Sequence, residues 1–406
     1  MTDDFQPILR FLAMSDVHYK DEHTKERDRM AQALADGRGI AAAHPSYNAL
    51  DAVAVVGDFA NSGSETQMRA FKKTLDEGLE AATQTILSIA SHEFGSGGVE
   101  AAEEKLQRIF GQAPDVHRVI NGFHFISVSP SKGTDFDDKK RAWAGECLKI
   151  AAADDPKKPI FFFQHPHVTD TVSGSINWGN DDFTALLMHY PQVIDFSGHS
   201  HAPINDPRSI HQRHFTALGC GTLAYFELDE FDKYYGTVPP RDEEAAQMLV
   251  VETDAQNRVR IVPYNILTHK AFPYVWRIDE PSNPDSFQYT NAKRQAADTA
   301  PYFLPTAFAR AEDITSTSAN IVFAQAVCDT YDVNDYVIRV RRAEDNAVVR
   351  QIAIWSEYYF DPKPETLSVP VSDLQPGTAY KIEIRARGFF DKTCKTPLTA
   401  SFETVC

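Results

Sequence analysis

Cysteine is scarce in this chain. The five among 406 residues (Cys147, Cys220, Cys328, Cys394 and Cys406) are odd in number, scattered and without metal-type spacing. Free thiols in a reducing compartment are therefore expected, with a Cys328–Cys394 bridge the one pairing left open. No uninterrupted apolar run reaches the length of a membrane helix, so no membrane contact is expected. Positive charge is also short. Lys and Arg number 40 against 57 Asp and Glu, a formal net charge of −17. Proteins that bind a nucleic-acid backbone gain affinity from clustered Lys and Arg, so no such binding is expected here. Met1-Thr2-Asp3-Asp4-Phe5 is acidic and passes directly into an apolar run, without the basic and apolar regions of a secretory leader. The expectation is a cytoplasmic protein. No repeat period and no low-complexity tract is present.

What is present is an alternation of strands and helices in a chain long enough for roughly two or three domains. Residues are 43% hydrophobic and 24% charged, as in a globular protein. The stretch Phe11-Leu12-Ala13-Met14-Ser15-Asp16-Val17-His18 is an apolar run that breaks into a carboxylate and an imidazole separated by one residue. Side chains of a strand repeat with period two, so Asp16 and His18 leave its end on the same side. Further apolar runs end in similar chemistry. Ala52–Val56 leads to Gly57-Asp58, and Thr85–Ala90 to Ser91-His92-Glu93. Pro159–Phe163 leads to Gln164-His165-Pro166-His167, and Gln192–Ser197 to Gly198-His199-Ser200-His201. Helical patterns fill the intervals, around Met30–Ala43, Ser64–Leu79, Gly98–Phe110 and Asp137–Ala152. A hairpin turning at Asn121-Gly122 is expected within Val116–Val128.

In this order, these strand-end elements resemble the calcineurin-like metallophosphoesterase superfamily over about the first two-thirds of the chain. Asn205–Ile210 resembles an extension found in a bacterial subgroup that also carries a C-terminal fibronectin type III-like domain. The resemblance implies an α/β chain, a metallophosphoesterase-type αββα sandwich followed by an all-β fibronectin type III-like sandwich. It also implies two transition metal ions, Mn, Fe or Zn, the class that mixed imidazole and carboxylate donors select. Asp16, His18, Asp58 and His201 would hold one. Asp58, Ser91, His165 and His199 would hold the other, more weakly, with Asp58 bridging. The implied activity is hydrolysis of a phosphodiester or small phosphomonoester by a hydroxide held between the ions, with His92 assisting the leaving group. The expected partner is accordingly a small phosphorylated substrate.

One position departs from the family pattern. Asn usually precedes the histidine of the third element, where this chain has Ser91. A hydroxyl is a weaker neutral donor than a carboxamide, and the alternative is a weakened enzyme serving as a binding scaffold. Arg208 is a candidate phosphate clamp, balanced against a structural ion pair. His167 is a candidate for the substrate pocket, and the charge run Asp229-Glu230-Phe231-Asp232-Lys233 reads as a solvated loop.

Five prolines between Phe272 and Pro305 mark a joining segment. The expected organisation is a metallophosphoesterase domain over 1–270, a joining segment over 271–305 and a β-sandwich over 306–406. In the last, Asn320–Val327, Tyr336–Val340 and Tyr380–Ala386 alternate apolar and polar residues. Leu374–Tyr380 resembles the turn and tyrosine before a late fibronectin type III strand. Such a domain carries contacts to a partner, a polymer or a second copy, or braces the catalytic domain; the brace is the expected role.

Overall fold

The computed structural model describes residues 4–244 and 246–406. The chain divides into two compact units. One comprises the residues up to Asp229 together with Arg241–Thr290, and the other Glu230–Pro240 together with Asn291–Cys406.

The first unit contains β1 (Pro7–Met14), β2 (Ala52–Val56), β3 (Gln84–Ser88), β4 (Val116–Ile120), β5 (Phe123–Val128), β6 (Ile160–Gln164), β7 (His167–Val168), β8 (Gly179–Asn180), β9 (Val193–Ser197), β10 (Ile210–Gln212), β11 (Thr216–Gly219), β12 (Gln247–Asp254), β13 (Val259–Asn265), β14 (Lys270–Ala271) and β15 (Trp276–Ile278). Its longer helices are α1 (Lys25–Ala43), α2 (Glu65–Gly78), α3 (Gly98–Phe110) and α4 (Asp138–Asp154), and a single turn, α5, spans Ser175–Trp178.

Two mixed sheets result, in the orders β14-β13-β12-β1-β2-β3 and β10-β11-β9-β6-β5-β4. They face each other because the central strands are apolar on both sides. From β1, Leu9, Phe11 and Ala13 enter the layer between the sheets, while Leu12 and Met14 turn to the helical side. Phe11 stands edge-on to Phe125 and Phe161 at centroid distances of 5.1 and 4.8 Å. Residues of α1, α2 and α3 cover the outer face of the first sheet, and residues of α4 that of the second. The architecture is a four-layered αββα sandwich.

Local chemistry sets the boundaries. Ser64 caps α2 by accepting a hydrogen bond from Gln67 N–H, and Asp137 caps α4 by accepting from Lys140 N–H. Asn121 and Gly122 take the left-handed conformations that a tight hairpin requires between β4 and β5. Part of the proline-rich stretch is built into the sheet, since Trp276 pairs with Ile261 and Ile278 with Val259. No helix among the described residues is long and apolar enough to cross a membrane.

The second unit is a β-sandwich. A three-stranded sheet of β16 (Ala309–Glu312), β17 (Ala319–Ala324) and β20 (Thr366–Val371) shares a core with a four-stranded sheet. The latter has the order β19 (Val348–Trp355), β18 (Val333–Arg342), β21 (Ala379–Gly388) and β22 (Leu398–Glu403). Burial alternates along β17, β20 and β21 as the period-two pattern anticipates. The Tyr380 hydroxyl accepts a hydrogen bond of 2.8 Å from Gln375 N–H. All five cysteines are free thiols, so the Cys328–Cys394 pairing is not made. The charge run is not wholly solvated. Lys233 is enclosed, its ammonium 2.9 Å from buried Asp335 and 4.4 Å from the centroid of the Trp355 ring. A buried carboxylate requires a cation, and Lys233 and Arg387 supply it.

Candidate metal centre

The strand ends of the two sheets meet at one place. Past β1 and β2, the exiting chains bind each other, His18 N–H donating to Asp58 O at 3.0 Å and Tyr19 N–H to Phe59 O at 2.9 Å. From the second sheet, His165 follows β6 and His199 and His201 follow β9. Two glycines allow this approach. A β-carbon on Gly57 would lie 2.5 Å from His165 Nδ1, and one on Gly198 would lie 1.9 Å from Ser15 Oγ. Asp16, His18, Asp58, His199 and His201 all have φ between 51° and 71°. Left-handed backbone is costly for residues other than glycine and persists where the surroundings impose it.

The side chains form three groups whose ligand atoms lie within 4.8 Å of one another: Asp16 with His18 and His201, His18 with Asp58 and His92, and Asp58 with His165 and His199. Asp16 Oδ1 is 3.2 Å from His201 Nε2, and His18 Nε2 is also 3.2 Å from His201 Nε2. Asp58 Oδ2 lies 3.0 Å from His165 Nε2. Second contacts fix the rings. His165 Nδ1 is 2.6 Å from Val56 O and His201 Nδ1 is 2.9 Å from Tyr225 O, so each ring turns Nε2 toward the carboxylates. The other oxygens of the carboxylates are held by backbone, Asp16 Oδ2 accepting from His199 N–H and Asp58 Oδ1 from His92 N–H, both at 3.0 Å.

These residues fit metal ions. Asp16 Oδ1 and His165 Nε2 are enclosed yet make no hydrogen bond, an expensive state for buried polar atoms that a shared cation relieves. Ligands about 2.1 Å from a common ion stand about 3.0–3.4 Å apart, the spacing seen here. Electrostatics agree. Burial opposes charge on His165, but Asp58 and Asp16 beside it raise its ring to about 10. Burial likewise opposes charge on Asp58, yet His165 holds that carboxyl below the usual range. Desolvation pushes His199 down to about 4. Carboxylates that favour positive charge on a buried imidazole favour a cation at the same place, and a bound ion would take over that role from a proton.

His92 lies at the edge of the site, its side chain 41% exposed and its Nε2 4.0 Å from Asp58 Oδ2. Its Nδ1 is 2.7 Å from Asn61 O, so Nε2 remains for a substrate. Ser91 Oγ is 3.4 Å from Asp58 Oδ2. Two expected substrate contacts have other occupations. His167 is buried with both ring nitrogens 2.7 Å from hydroxyls, of Ser197 and Ser200, and burial lowers its ring to about 3. It positions the loop between the two metal-facing histidines and presents no nitrogen to a substrate. Arg208 forks onto fully buried Asp206, with Nη2 2.7 Å from Oδ2, because an enclosed carboxylate demands a partner.

Two residues had no assigned role in the sequence. Glu93, completely buried, accepts from Asp58 N–H at 3.1 Å, Ala90 N–H at 2.8 Å and Ala60 N–H at 2.7 Å, tying the exits of β2 and β3 together. Burial and nearby Asp58 raise its carboxyl to about 8. Its place directly after His92 was the available signal. Tyr225 lies with its ring centroid 4.2 Å from that of His201. Nothing in the local sequence around it marks this position.

No protein-family profile and no curated protein matches the chain. Among solved structures, it is similar to the purple acid phosphatase PPD1 from yellow lupin (Lupinus luteus) seeds, with 14% identity and a TM-score of 0.48. That match covers 66% of this chain and 53% of the phosphatase, so the chain spans about half of the length of that protein. A smaller part is similar to FN3tt (14% identity, 26% of this chain, 97% of that chain, TM-score 0.19). It is also similar to the sensor domain of the anti-sigma factor RsgI4 of Pseudobacteroides cellulosolvens (19% identity, 25% of this chain, 88% of that chain, TM-score 0.17). These are likenesses of backbone course.

Proposed function

We propose that this chain is a metal-dependent phosphoesterase of the calcineurin-like kind, hydrolysing a phosphodiester or a small phosphomonoester. The observation that carries the reading is the convergence of Asp16, His18, Asp58, His165, His199 and His201, with Asp58 belonging to two ligand groups at once. Asp16, His18 and His201, with Asp58, would hold one ion; Asp58, His165 and His199 would hold the other. When bound, a pair of transition ions supplies an activated water at neutral pH and stabilises charge on the phosphoryl oxygens. The protein contributes the rest. Val56 O and Tyr225 O keep Nε2 of His165 and His201 directed inward, and the Glu93 carboxyl group holds the Asp58 turn in place. As the P–O bond breaks, His92 Nε2–H gives its proton to the departing oxygen while Nδ1–H stays on Asn61 O. The second unit is read as a fibronectin type III-like brace, a reading supported by its seven strands and by the Tyr380–Gln375 hydrogen bond.

The test is metal analysis with kinetics. Protein incubated with Mn, Fe or Zn is expected to retain about two ions per chain and to cleave an aryl phosphodiester or monoester. Failure to retain any ion overturns the reading. A second reading, a binding scaffold with weakened catalysis, is favoured by Ser91, whose hydroxyl takes the place of a stronger donor 3.4 Å from Asp58. Under that reading the wild-type chain turns over poorly, and Ser91→Asn tightens the second ion about 10-fold with a parallel gain in rate.

A further inference from the structure

Two aromatic rings flank the centre, and neither is a metal ligand. Tyr225 lies beside the Asp16, His18 and His201 group, its centroid 4.2 Å from His201 and 6.0 Å from His18. Trp178, at the end of α5, lies beside the Asp58, His165 and His199 group, edge-on to His199 at 5.5 Å. Both are partly exposed. Both are also firmly placed. The Tyr225 loop is held by the Arg29 guanidinium, which donates to Leu223 O at 2.9 Å and Ala224 O at 2.8 Å, and by Thr222 Oγ1 on Asp16 O at 3.1 Å. The segment leading to α5 is held by Ser173, whose hydroxyl donates to Asp206 Oδ2 at 3.0 Å. The indole N–H of Trp178 is enclosed and has no acceptor among the described residues, a donor that a ligand can satisfy. Among the described residues, Asp16 and Asp58 form ion pairs with imidazoles and with no lysine or arginine. No guanidinium or ammonium among the described residues is thus anchored on these two carboxylates, where it could present a fixed fork to a terminal phosphate dianion.

Resting on the phosphoesterase reading, we infer that the substrate is a phosphodiester whose retained arm, the one that does not leave, carries a flat aromatic group, an aryl ring or a nucleobase, packed against Tyr225 or Trp178. A diester carries one negative charge and sends two organic arms away from phosphorus in different directions, and each group of ligands has a ring beside it. Rings at both flanks would add little for a monoester, which has a single arm.

The experiment holds the leaving group constant and varies the retained arm. Metal-loaded protein is assayed with methyl, phenyl and thymidine p-nitrophenyl phosphate diesters and with p-nitrophenyl phosphate. The expected result is a KM about 10-fold lower for the phenyl or thymidine ester than for the methyl ester, and poor use of the monoester. A lower KM for the phenyl ester identifies an aryl arm, and a lower KM for the thymidine ester a nucleoside. Trp178→Leu should raise KM for the favoured ester about 10-fold, with a much smaller change in kcat and in metal content, and Trp178→Phe should largely restore it. Binding of phenylphosphonate against methylphosphonate, measured by calorimetry, supplies a readout independent of turnover; tighter phenyl binding is expected in the wild type and not in the Trp178→Leu variant. Equal KM values for methyl and aromatic arms, or preference for the monoester, overturn the inference while leaving the phosphoesterase reading intact. Cleavage of none of the four esters overturns that reading, and this inference with it.

Discussion

The first unit and the β-sandwich both contain non-glycine residues with left-handed backbone, but they place them differently. In the sandwich these are Asp313, Asn346, Glu357, Asp373 and Asp391, each in a turn shortly after a strand and four of them Asp or Asn. Short polar side chains tolerate this conformation, and the turns use it only to reverse the chain. The first unit also has such residues away from the centre, at Asn121, Asp170, Arg241, Asn257 and His269, but in addition Asp16, His18, Asp58, His199 and His201 adopt it at the ends of three strands belonging to both sheets, and their side chains converge. Imidazoles do not relieve such strain by themselves. A conformation spread thinly over surface turns serves topology; the same conformation gathered at one point serves chemistry.

The largest effect should come from separating charge from conformation at Asp58. Asp58→Asn keeps a side chain that tolerates the left-handed backbone but removes the shared carboxylate. Hydrolysis is expected to fall by about 10³-fold or more, with loss of bound metal and a near-normal melting profile for the chelated protein. A variant retaining both ions would break the comparison. Next, Glu93→Ala leaves three buried N–H groups without an acceptor, and is expected to destabilise the first unit by about 3 kcal/mol or more in chemical denaturation.

A third effect concerns a buried carboxyl outside the centre. Burial raises Asp195 to about 8, with Gln164 Nε2 donating to its two oxygens at 3.1 and 3.2 Å. Its neutral form is favoured by folding, so its contribution is fully present below the unfolded value near 4 and is lost as pH rises through about 8. Asp195→Asn should flatten the decline of Tm between pH 4 and 8 and raise Tm at pH 8 by a few degrees, as read by calorimetry. A decline as steep in the variant would refute this. The smallest effects form a matched pair. His199→Gly should stabilise the chelated protein by about 1 kcal/mol while weakening metal retention, because it relieves strain that serves only the centre. Asp373→Ala should cost about 1 kcal/mol in the sandwich and leave metal content unchanged.

Much of this arrangement is legible in the residues because strand ends carry a local signature. An apolar run closing in Asp16-Val17-His18 or Gly198-His199-Ser200-His201 specifies both a buried strand and the donors it delivers. Asn121-Gly122 likewise fixes its hairpin. Arg208 and Lys233 were not legible in this way, since each is claimed by a carboxylate whose burial depends on distant packing: Asp206 beneath the α5 loop, and Asp335 in the sandwich. His167 carries the same imidazole as its neighbours at 165 and 199, but two serine hydroxyls occupy it. Residue type alone does not distinguish a ring that faces the centre from one that supports it.

The sequence by itself determined the strands that deliver the acids and imidazoles, which residues stand at their ends, and the order in which they arrive, because periodicity and turn chemistry are local. Only the tertiary structure decided that Asp58 belongs to two ligand groups, that Glu93 ties two loops together, and that Tyr225 and Trp178 flank the centre. Those relations join residues as distant in the chain as His18 and His201, 183 positions apart, and arise from the facing of two sheets. Their close approach at Gly57 and Gly198 depends on the absence of a side chain, and a missing side chain acquires meaning only from what lies opposite it.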